Sequence, residues 1–549
     1  MPPAKICACC KMERSSLKVV EYLLSTLEKN GVEVIFGNPG TTEIPLVRAC
    51  ERQKKIRYIV AFSEIAAVPM ADGYARAKRR LGVVNLHVAP GLGNGMGTLY
   101  TAGIAGTPLL VIVGGQDRRF LHTQPILWGP VEQMARTVCK AVFGLSSRYD
   151  AAANVRRALR TALTPPYGPV ALICPPDLLD QEIQGEPGAV GAPVLAGFDD
   201  EAARAYARFL SSAKQPAIIA AEDVHWSNAS KAVEALAAAF GAPVYAAPYT
   251  GVLPISASSP WYAGYLPPSV KQIAERLEDR DALLFLGGRG VRTTLYGEAT
   301  VPGRKAWIGA DPTVQPAHGE FELACIADIA QATTAIKERF GPKKPAAVEA
   351  AMRPPLELPP PQSGPLHPTR AVAALLARYR DALWFDESGL STSDVRQWMQ
   401  LAAGEYIING SGGIGWGLAA SIGGAIARRD RQIVAAIGDG SALYGSEALW
   451  TGAHYGTKVL LVVFANRRYA TLNEAAGRLS GGALEAFTIE PPVLDFSGLA
   501  TLYGWSYASA ATEEELSALL ADRKALAGNT VLELKLDPAL KPVTASRHF

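Results

Sequence analysis

The sequence predicts an α/β protein made of three doubly wound domains with parallel sheets, and three observations predict it. First, short apolar runs recur along the chain: "VEVIFG", "GVVNLHV", "PLLVIVGG", "VALICPP", "ALLFLGG", "IVAAIGDG", "VLLVVFAN" and "TVLELKL". Second, segments such as "SSLKVVEYLLSTLEKN" lie between them, with apolar residues at helical spacing. Continuous apolar strands joined by helices are covered on both faces, as parallel sheets require. Third, two stretches read as linkers, one around 180–200 and one over 340–368, the latter rich in proline and therefore extended. They cut the 549 residues into three domain-sized parts.

The parts follow in order. Residues 1–16 are expected to be a disordered tail. Its Cys7, Cys9 and Cys10 lack a nearby fourth ligand and make a poor zinc site. A first domain is expected over 17–185, a central one over 196–342, a linker over 343–366 and a last domain over 367–549. The first and last share a faint repeat. "LYTAGIAGTPLLVIVGGQ" from Leu99 aligns with "LWTGAHYGTKVLLVVFAN" from Leu449, placing Gly106-Thr107 on Gly456-Thr457 and Gln116 on Asn466. One architecture is expected in both, with different chemistry at the strand tips.

Composition narrows the partner. Fifty-four basic against 51 acidic residues give +3, with no basic stripe for nucleic acid or an anionic membrane. No apolar run approaches the roughly 18 residues of a membrane span, and the start lacks a secretory apolar region. Seven cysteines in so long a chain fit a reducing cytoplasm. A small-molecule ligand is expected.

The stretch "AIGDGSALYGSEALW" indicates where it binds. Asp439 ends one predicted strand, and Asn466, 27 residues later, ends the next. Ligands of doubly wound sheets lie beyond such ends. If the strands are neighbours their tips are about 5 Å apart. Two hard oxygens then converge on one point, suiting Mg²⁺ or Ca²⁺. "SALYGSEALWTGAHYG" reads as a single crossover helix with Ser441 as N-cap, and the Gly440 and Ser441 amides open it toward an anion. A divalent metal beside an anion site is a diphosphate site.

This segment resembles the diphosphate-binding motif of thiamine diphosphate enzymes, Gly-Asp-Gly to Asn-Asn over about 30 residues. Here the closing pair is Ala465-Asn466, so only the metal-binding Asn is kept. The resemblance spans nearly the whole chain and is closest to the benzoylformate decarboxylases within the 2-oxo acid decarboxylase and acetolactate synthase superfamily. "FGNPGTTEIP" is similar to the family's Phe-Gly-Asn-Pro-Gly-Ser-Asn-Glu loop. "SEIAAVPMADGYARA" is similar to its activating-glutamate helix, "NLHVAPGLGNGMG" to its catalytic-histidine turn, and "GSGGIGWGLAASIGGA" to its cofactor-bending loop.

The resemblance implies a pyrimidine-binding first domain, a central domain and a diphosphate-binding last domain. It implies Asp439, Asn466 and the Arg468 carbonyl as metal ligands, with Gly440 and Ser441 at the diphosphate. Glu64 corresponds to the glutamate that hydrogen-bonds the cofactor pyrimidine. Ile414 corresponds to the apolar wedge that bends the cofactor, and the Gly412 carbonyl to the acceptor of its amino group. His87 falls on the catalytic histidine, and Thr41 replaces a substrate-binding serine. Gln116, Leu127 and Leu472 are candidate substrate contacts, and the apolar set Ile126, Leu127, Trp128, Ile414 and Leu472 lines either a pocket or plain core.

The expected activity is decarboxylation of a bulky or aromatic 2-oxo acid to an aldehyde. The cofactor would bridge two subunits of at least a dimer, as tetramers of the family do. One departure stands out. The stretch "FLGGRGVRTTLYGEA" has Thr294 where the benzoylformate decarboxylases carry a second active-site histidine. This leaves open a carboligase, of the acetolactate synthase or benzaldehyde lyase type, making or cleaving 2-hydroxyketones. FAD in the central domain is the less expected extra. A rival reading is a nicotinamide dehydrogenase, since "GSGGIG" followed by Asp430 formally matches the dinucleotide fingerprint. It leaves the Asp439–Asn466 spacing unexplained.

Overall fold

The computed structural model describes residues 16–545 apart from 192, 194, 196, 289, 295–298, 314–319, 341–356, 483 and 523. The cysteines of the tail and most of the 343–366 linker lie outside the described residues.

Three six-stranded sheets form, each wholly parallel. The first contains β1 (Val34–Gly37), β2 (Arg57–Val60), β3 (Gly82–Leu86), β4 (Leu109–Gly114), β5 (Ala141–Gly144) and β6 (Pro169–Cys174), in the order β2-β1-β3-β4-β6-β5. The central sheet contains β7 (Pro216–Ala220), β8 (Val244–Ala246), β9 (Tyr262–Tyr265), β10 (Ala282–Leu286), β11 (Arg304–Gly309) and β12 (Leu323–Ile326), in the order β9-β8-β7-β10-β11-β12. The last contains β13 (Leu383–Glu387), β14 (Tyr406–Ile408), β15 (Ile433–Gly438), β16 (Val459–Ala465), β17 (Ser506–Ala510) and β18 (Thr530–Lys535), in the order β14-β13-β15-β16-β18-β17. All eight quoted runs are strands. Every residue of β4, β16 and β10 is buried, which is why these read as unbroken apolar runs.

The first and last sheets have the same strand order, and the central one differs. The repeat is therefore structural. Gly106 and Gly456 both adopt left-handed backbone before a buried Thr107 and a buried Thr457, and each pair leads into the fourth strand of its sheet.

Six helices position the site: α1 (Glu64–Lys78), α2 (Val88–Ile104), α3 (Val270–Arg276), α4 (Thr392–Trp398), α5 (Gly417–Ala427) and α6 (Ala448–His454). Helices α1 and α5 join the first and last domains at backbone contact. A Cβ on Gly73 would lie 2.1 Å from the Ala420 carbonyl oxygen, and one on Gly423 would lie 1.9 Å from that of Met70. Only glycine allows this approach. Every α1 residue from Ala66 to Arg76 is buried, so its apolar pattern shows no single stripe. Among the described residues, no helix is long and apolar enough to cross a membrane.

One expectation needs correction. The crossover between Asp439 and Asn466 is not a single helix capped by Ser441. It is a short turn, Asp439–Ala442, with Gly438 at its N-cap, followed by α6. Gly445, in left-handed backbone at φ +64°, breaks the two apart. Ser441 lies inside the turn and lines a cavity with Glu387.

Candidate active site

The edge expected to take a diphosphate is built by two neighbouring strands. β15 pairs with β16 in a register that sets Gly438 beside Phe464, so both chains leave the sheet at the same edge. Asp439 is buried there: one carboxylate oxygen accepts the Gly440 amide at 2.8 Å and the other the Arg467 amide at 2.6 Å. The Asn466 side-chain oxygen accepts the Arg468 amide at 3.2 Å. The Arg468 carbonyl takes the Ala470 amide at 2.9 Å, which uses one of its two lone pairs.

Burial pushes the Asp439 carboxyl up to about 6, although backbone amides of Arg467, Gly440 and Asn466 pull it down. A buried carboxylate of this kind fits a cation. Carboxylate, side-chain amide and backbone carbonyl make a hard oxygen set suited to Mg²⁺ or Ca²⁺. Among the described residues, no group of three His, Cys, Asp or Glu side chains could hold a metal. A cation seated at Asp439 would thus share its shell with ligand oxygens, as Mg²⁺ does with phosphates.

Asp439, Gly440, Ser441, Asn466 and Arg468 line a cavity of about 1020 Å³. Gly412, Ile414 and Leu472 line the same cavity. Gly412 has φ +82°, and a Cβ there would meet open space, so its backbone faces the void unobstructed. Ile414 and Leu472 remain 43% and 45% exposed, which is unusual for large apolar side chains and expected of ligand-facing ones. Neither is core. Glu387 steadies this wall: its carboxylate accepts the amides of Gly415, Trp416 and Gly417 at 2.6, 2.9 and 2.6 Å. Burial pushes it up to about 7.

The central domain closes the far side through Tyr249 and Thr294. Thr294, the position at which the resemblance implies a second histidine in the family, is part of this wall. Its hydroxyl donates to the Pro268 carbonyl at 3.4 Å, and the Tyr249 hydroxyl approaches it at 3.4 Å.

A second group of expected residues gathers on the first domain. Glu64 opens α1 and is buried, with the Ser63 hydroxyl accepting the Ala66 amide as N-cap at 3.2 Å. Each of its carboxylate oxygens takes a side-chain amide, from Asn38 at 3.3 Å and Asn94 at 3.2 Å. His87 ends β3 and caps α2, and the next residue, Val88, has φ +38°. A β-branched residue in that region costs about 1–3 kcal/mol, which its surroundings must offset.

The orienting group for His87 is one the sequence reading passed over. Buried Glu43 contacts His87 Nδ1 at 2.7 Å, accepts the Thr42 hydroxyl at 2.7 Å and accepts the Gly40 amide at 2.9 Å. Glu43 appears in the quoted "FGNPGTTEIP", but only the fold brings it to the histidine. Thr42 also lies 3.3 Å from Nδ1, whereas Thr41 is exposed and lines a separate cavity with Ile44 and Arg48. Gln116 spends its amide on the Ile126 carbonyl at 2.9 Å, holding the loop that carries Leu127 and Trp128. Ile126 is 86% exposed, and Leu127 and Trp128 are also exposed, so this set is not core.

The single chain therefore separates the expected residues. Glu64, His87, Thr41, Gln116 and Leu127 are not among those lining the Asp439 cavity. Beside Glu64 lies an uncovered apolar face, where half-exposed Phe62 stacks on Trp450 at 4.2 Å and Trp450 on His454 at 4.7 Å.

In the central sheet the strand order reverses between β7 and β10, the place where such folds take a nucleotide. Asp223 fills that crevice: its carboxylate accepts the Gly288 amide at 3.3 Å, and a Cβ on Gly287 would lie 2.4 Å from the Asp223 Cβ. "GSGGIG", by contrast, follows β14, an edge strand of the last sheet, away from its order reversal, and Asp430 is exposed and paired with Arg428 at 3.2 Å. The dehydrogenase reading fails on both counts.

Comparison with known proteins agrees with the three-domain fold. The thiamine pyrophosphate enzyme N-terminal TPP-binding domain matches residues 17–135, the central domain 203–336 and the C-terminal TPP-binding domain 387–534. A benzoylformate decarboxylase of Pseudomonas aeruginosa is 31% identical over 523 residues, covering 91% of this chain and 96% of that protein. An acetolactate synthase large subunit of Parasynechococcus marenigrum is 25% identical, covering 81% of this chain and 75% of its own. The solved thiamine diphosphate-dependent 4-hydroxybenzoylformate decarboxylase of Rhodococcus jostii superposes with a TM-score of 0.87 at 27% identity, covering 95% of this chain and 99% of that one. The chain belongs to the thiamine pyrophosphate enzyme family, as a member of its decarboxylase and acetolactate synthase type.

Proposed function

We propose that this enzyme decarboxylates an aromatic or otherwise bulky 2-oxo acid to the aldehyde, using thiamine diphosphate held through Mg²⁺. The observation that carries this reading is the convergence of Asp439, Asn466, Gly412 and Ile414 on one cavity. The cofactor, when bound, supplies the electron sink for loss of CO₂. The chain's own residues do the rest. Asp439, Asn466 and the Arg468 carbonyl hold the cation and, through it, the diphosphate. Ile414 and the Gly412 carbonyl would contact the bound coenzyme and hold it in a bent form. Glu64, its oxygens held by the Asn38 and Asn94 amides, would share a proton with the pyrimidine ring nitrogen. His87 holds and moves a proton at the substrate side, with Glu43 fixing Nδ1 and leaving Nε2 for the reaction. Thr41, Gln116, Leu127 and Leu472 are proposed substrate contacts.

Because Glu64 and Asp439 do not share a cavity in one chain, a second copy is proposed to complete each site, across the uncovered face around Phe62 and Trp450. A dimer is the minimum, and a tetramer extends it. The domain limits of 17–185, 196–342 and 367–549 are proposed on the same basis, as is a cytoplasmic location. Asp223 occupying the central crevice argues against FAD.

A second reading has one observation in its favour. Thr294 and Tyr249 bring hydroxyls, not an imidazole, to the central-domain wall. A weaker proton donor there favours condensation with a second aldehyde, giving a 2-hydroxyketone. A panel of 2-oxo acids with thiamine diphosphate and Mg²⁺, scored separately for CO₂, aldehyde and 2-hydroxyketone, tests both readings. Release of CO₂ with aldehyde supports the first, and CO₂ with hydroxyketone alone supports the second. No CO₂ from any acid refutes the first reading, and no hydroxyketone formed or cleaved, with aldehydes added alone as well, refutes the second.

A further inference from the structure

We propose that Asp72 and Arg76, two buried residues of α1 remote in sequence from the cofactor loop, are positioning residues that clamp both ends of that loop and so set how the coenzyme is bent. The inference rests on the cofactor reading above.

The loop between β14 and α5 contains Gly410, Gly412, Gly413 and Gly415. Such a segment loses more conformational entropy on ordering than any other composition, so it needs anchors. The structure supplies one at each end. Arg76 donates to the Ile408 carbonyl at 2.9 Å, just before the loop. Asp72 accepts the Trp416 indole N–H at 2.6 Å, just after it. The two anchors are locked together, because Arg76 and Asp72 form a bidentate pair at 2.8 and 2.5 Å and are fully buried. The Arg76 guanidinium also lies over the Trp416 ring, 4.8 Å from its centroid. Between the ends, the Ser411 hydroxyl meets that of Thr101 on α2 at 2.8 Å.

Arg76 is fixed from further sides. Its Nε donates to the Thr107 hydroxyl at 3.1 Å, and its backbone carbonyl meets His225 Nε2 of the central domain at 3.1 Å. A Cβ on Gly251, also in the central domain, would lie 2.8 Å from an Arg76 terminal nitrogen. Arg76 thus meets all three domains, the first and last through its side chain and the central one through its backbone carbonyl. A buried ion pair is often no more stabilising than well-packed apolar residues, so stability alone is a poor reason for this one. Fixing one geometry is the better reason. The pair holds the ends of the segment whose tip, Gly412 to Ile414, faces the cavity.

The test separates the loop from the diphosphate turn. Calorimetry measures binding of thiamine diphosphate and, separately, of inorganic diphosphate, both with Mg²⁺. The variant is Trp416→Phe, which removes the N–H bonded to Asp72 and keeps a ring against Arg76. Loss of a bond to a charged group predicts about 10-fold weaker thiamine diphosphate binding, with inorganic diphosphate within about twofold of wild type. Asp72→Asn is the second variant, expected to show the same split more strongly. If Asp72→Asn fails to fold, Trp416→Phe still decides. Unchanged affinity for both ligands overturns the clamp, and so does an equal loss for both, which marks a merely structural role. Wild-type protein that binds no thiamine diphosphate would instead refute the cofactor reading.

Discussion

Replacing Asp439 with Asn separates its structural role from the cation-binding role proposed for it, because the two effects run in opposite directions. Burial holds the carboxyl at about 6, against 3.8 for a free Asp side chain. A carboxyl raised in the folded state contributes stability that is complete below its unfolded pKa and is lost as pH rises through the folded one. A shift of about two units at 1.36 kcal/mol per unit makes that loss about 3 kcal/mol for the metal-free protein at pH 8. The Asn variant escapes it. Asn, however, keeps only one acceptor oxygen for the Gly440 and Arg467 amides and turns an N–H₂ toward the other, at about 1–3 kcal/mol. The metal-free variant is therefore clearly less stable than wild type at pH 4 and comes close to it by pH 8. Over the same substitution, Mg²⁺-dependent binding of thiamine diphosphate falls by about 100-fold or more, since the one anionic ligand is gone. Denaturant unfolding at pH 4 and 8, with cofactor titration by calorimetry, measures both. A stability deficit that does not change with pH refutes the burial argument. Cofactor binding within threefold of wild type refutes the metal assignment.

Two further substitutions test the rest of the site. Glu43→Gln keeps an acceptor for His87 Nδ1 and the Gly40 amide and offers an N–H to Thr42, so the fold should be retained while the charge is lost. A charge-assisted bond of about 1.5–3 kcal/mol corresponds to a fall in kcat of about 10–100-fold, and steady-state kinetics showing less than a twofold change would exclude Glu43 as the group that orients His87. Gly412→Ala meets open space but disfavours φ +82°, so the free loop relaxes and must be forced back on binding, and that strain of about 1–2 kcal/mol should weaken thiamine diphosphate about 5–30-fold, with inorganic diphosphate unaffected. Calorimetry that finds both ligands bound as in wild type would show that the Gly412 backbone does not face the coenzyme.

Much of this was legible in the sequence, for a physical reason. Strands buried on both faces must be continuously apolar, and all eight quoted runs are strands. The repeat from Leu99 and Leu449 was readable because a left-handed glycine followed by a buried threonine is needed at both places. Asp439 and Asn466 were readable because neighbouring strands of fixed register bring their ends together. Three things were not. The break at Gly445 interrupts a segment whose apolar residues alone read as one helix. Glu43 became His87's partner only once β1 and β3 lay side by side. Asp72 and Arg76 stand four residues apart in "ADGYARA", a spacing shared by any helical ion pair, and their reach to Ile408 and Trp416 spans more than 300 residues of sequence. Long-range polar contacts leave no local pattern.

The central claim is that each active site joins the first domain of one copy to the last domain of another. Co-expression of a Glu64→Ala chain with an Asp439→Ala chain, and purification of the hybrid by two different tags, tests it directly. In the hybrid dimer, one site combines both defects and the other combines none. The account predicts about half of the wild-type turnover per dimer from two chains that are each inactive alone. A hybrid as inactive as its parents would place Glu64 and Asp439 of a single chain on the same coenzyme.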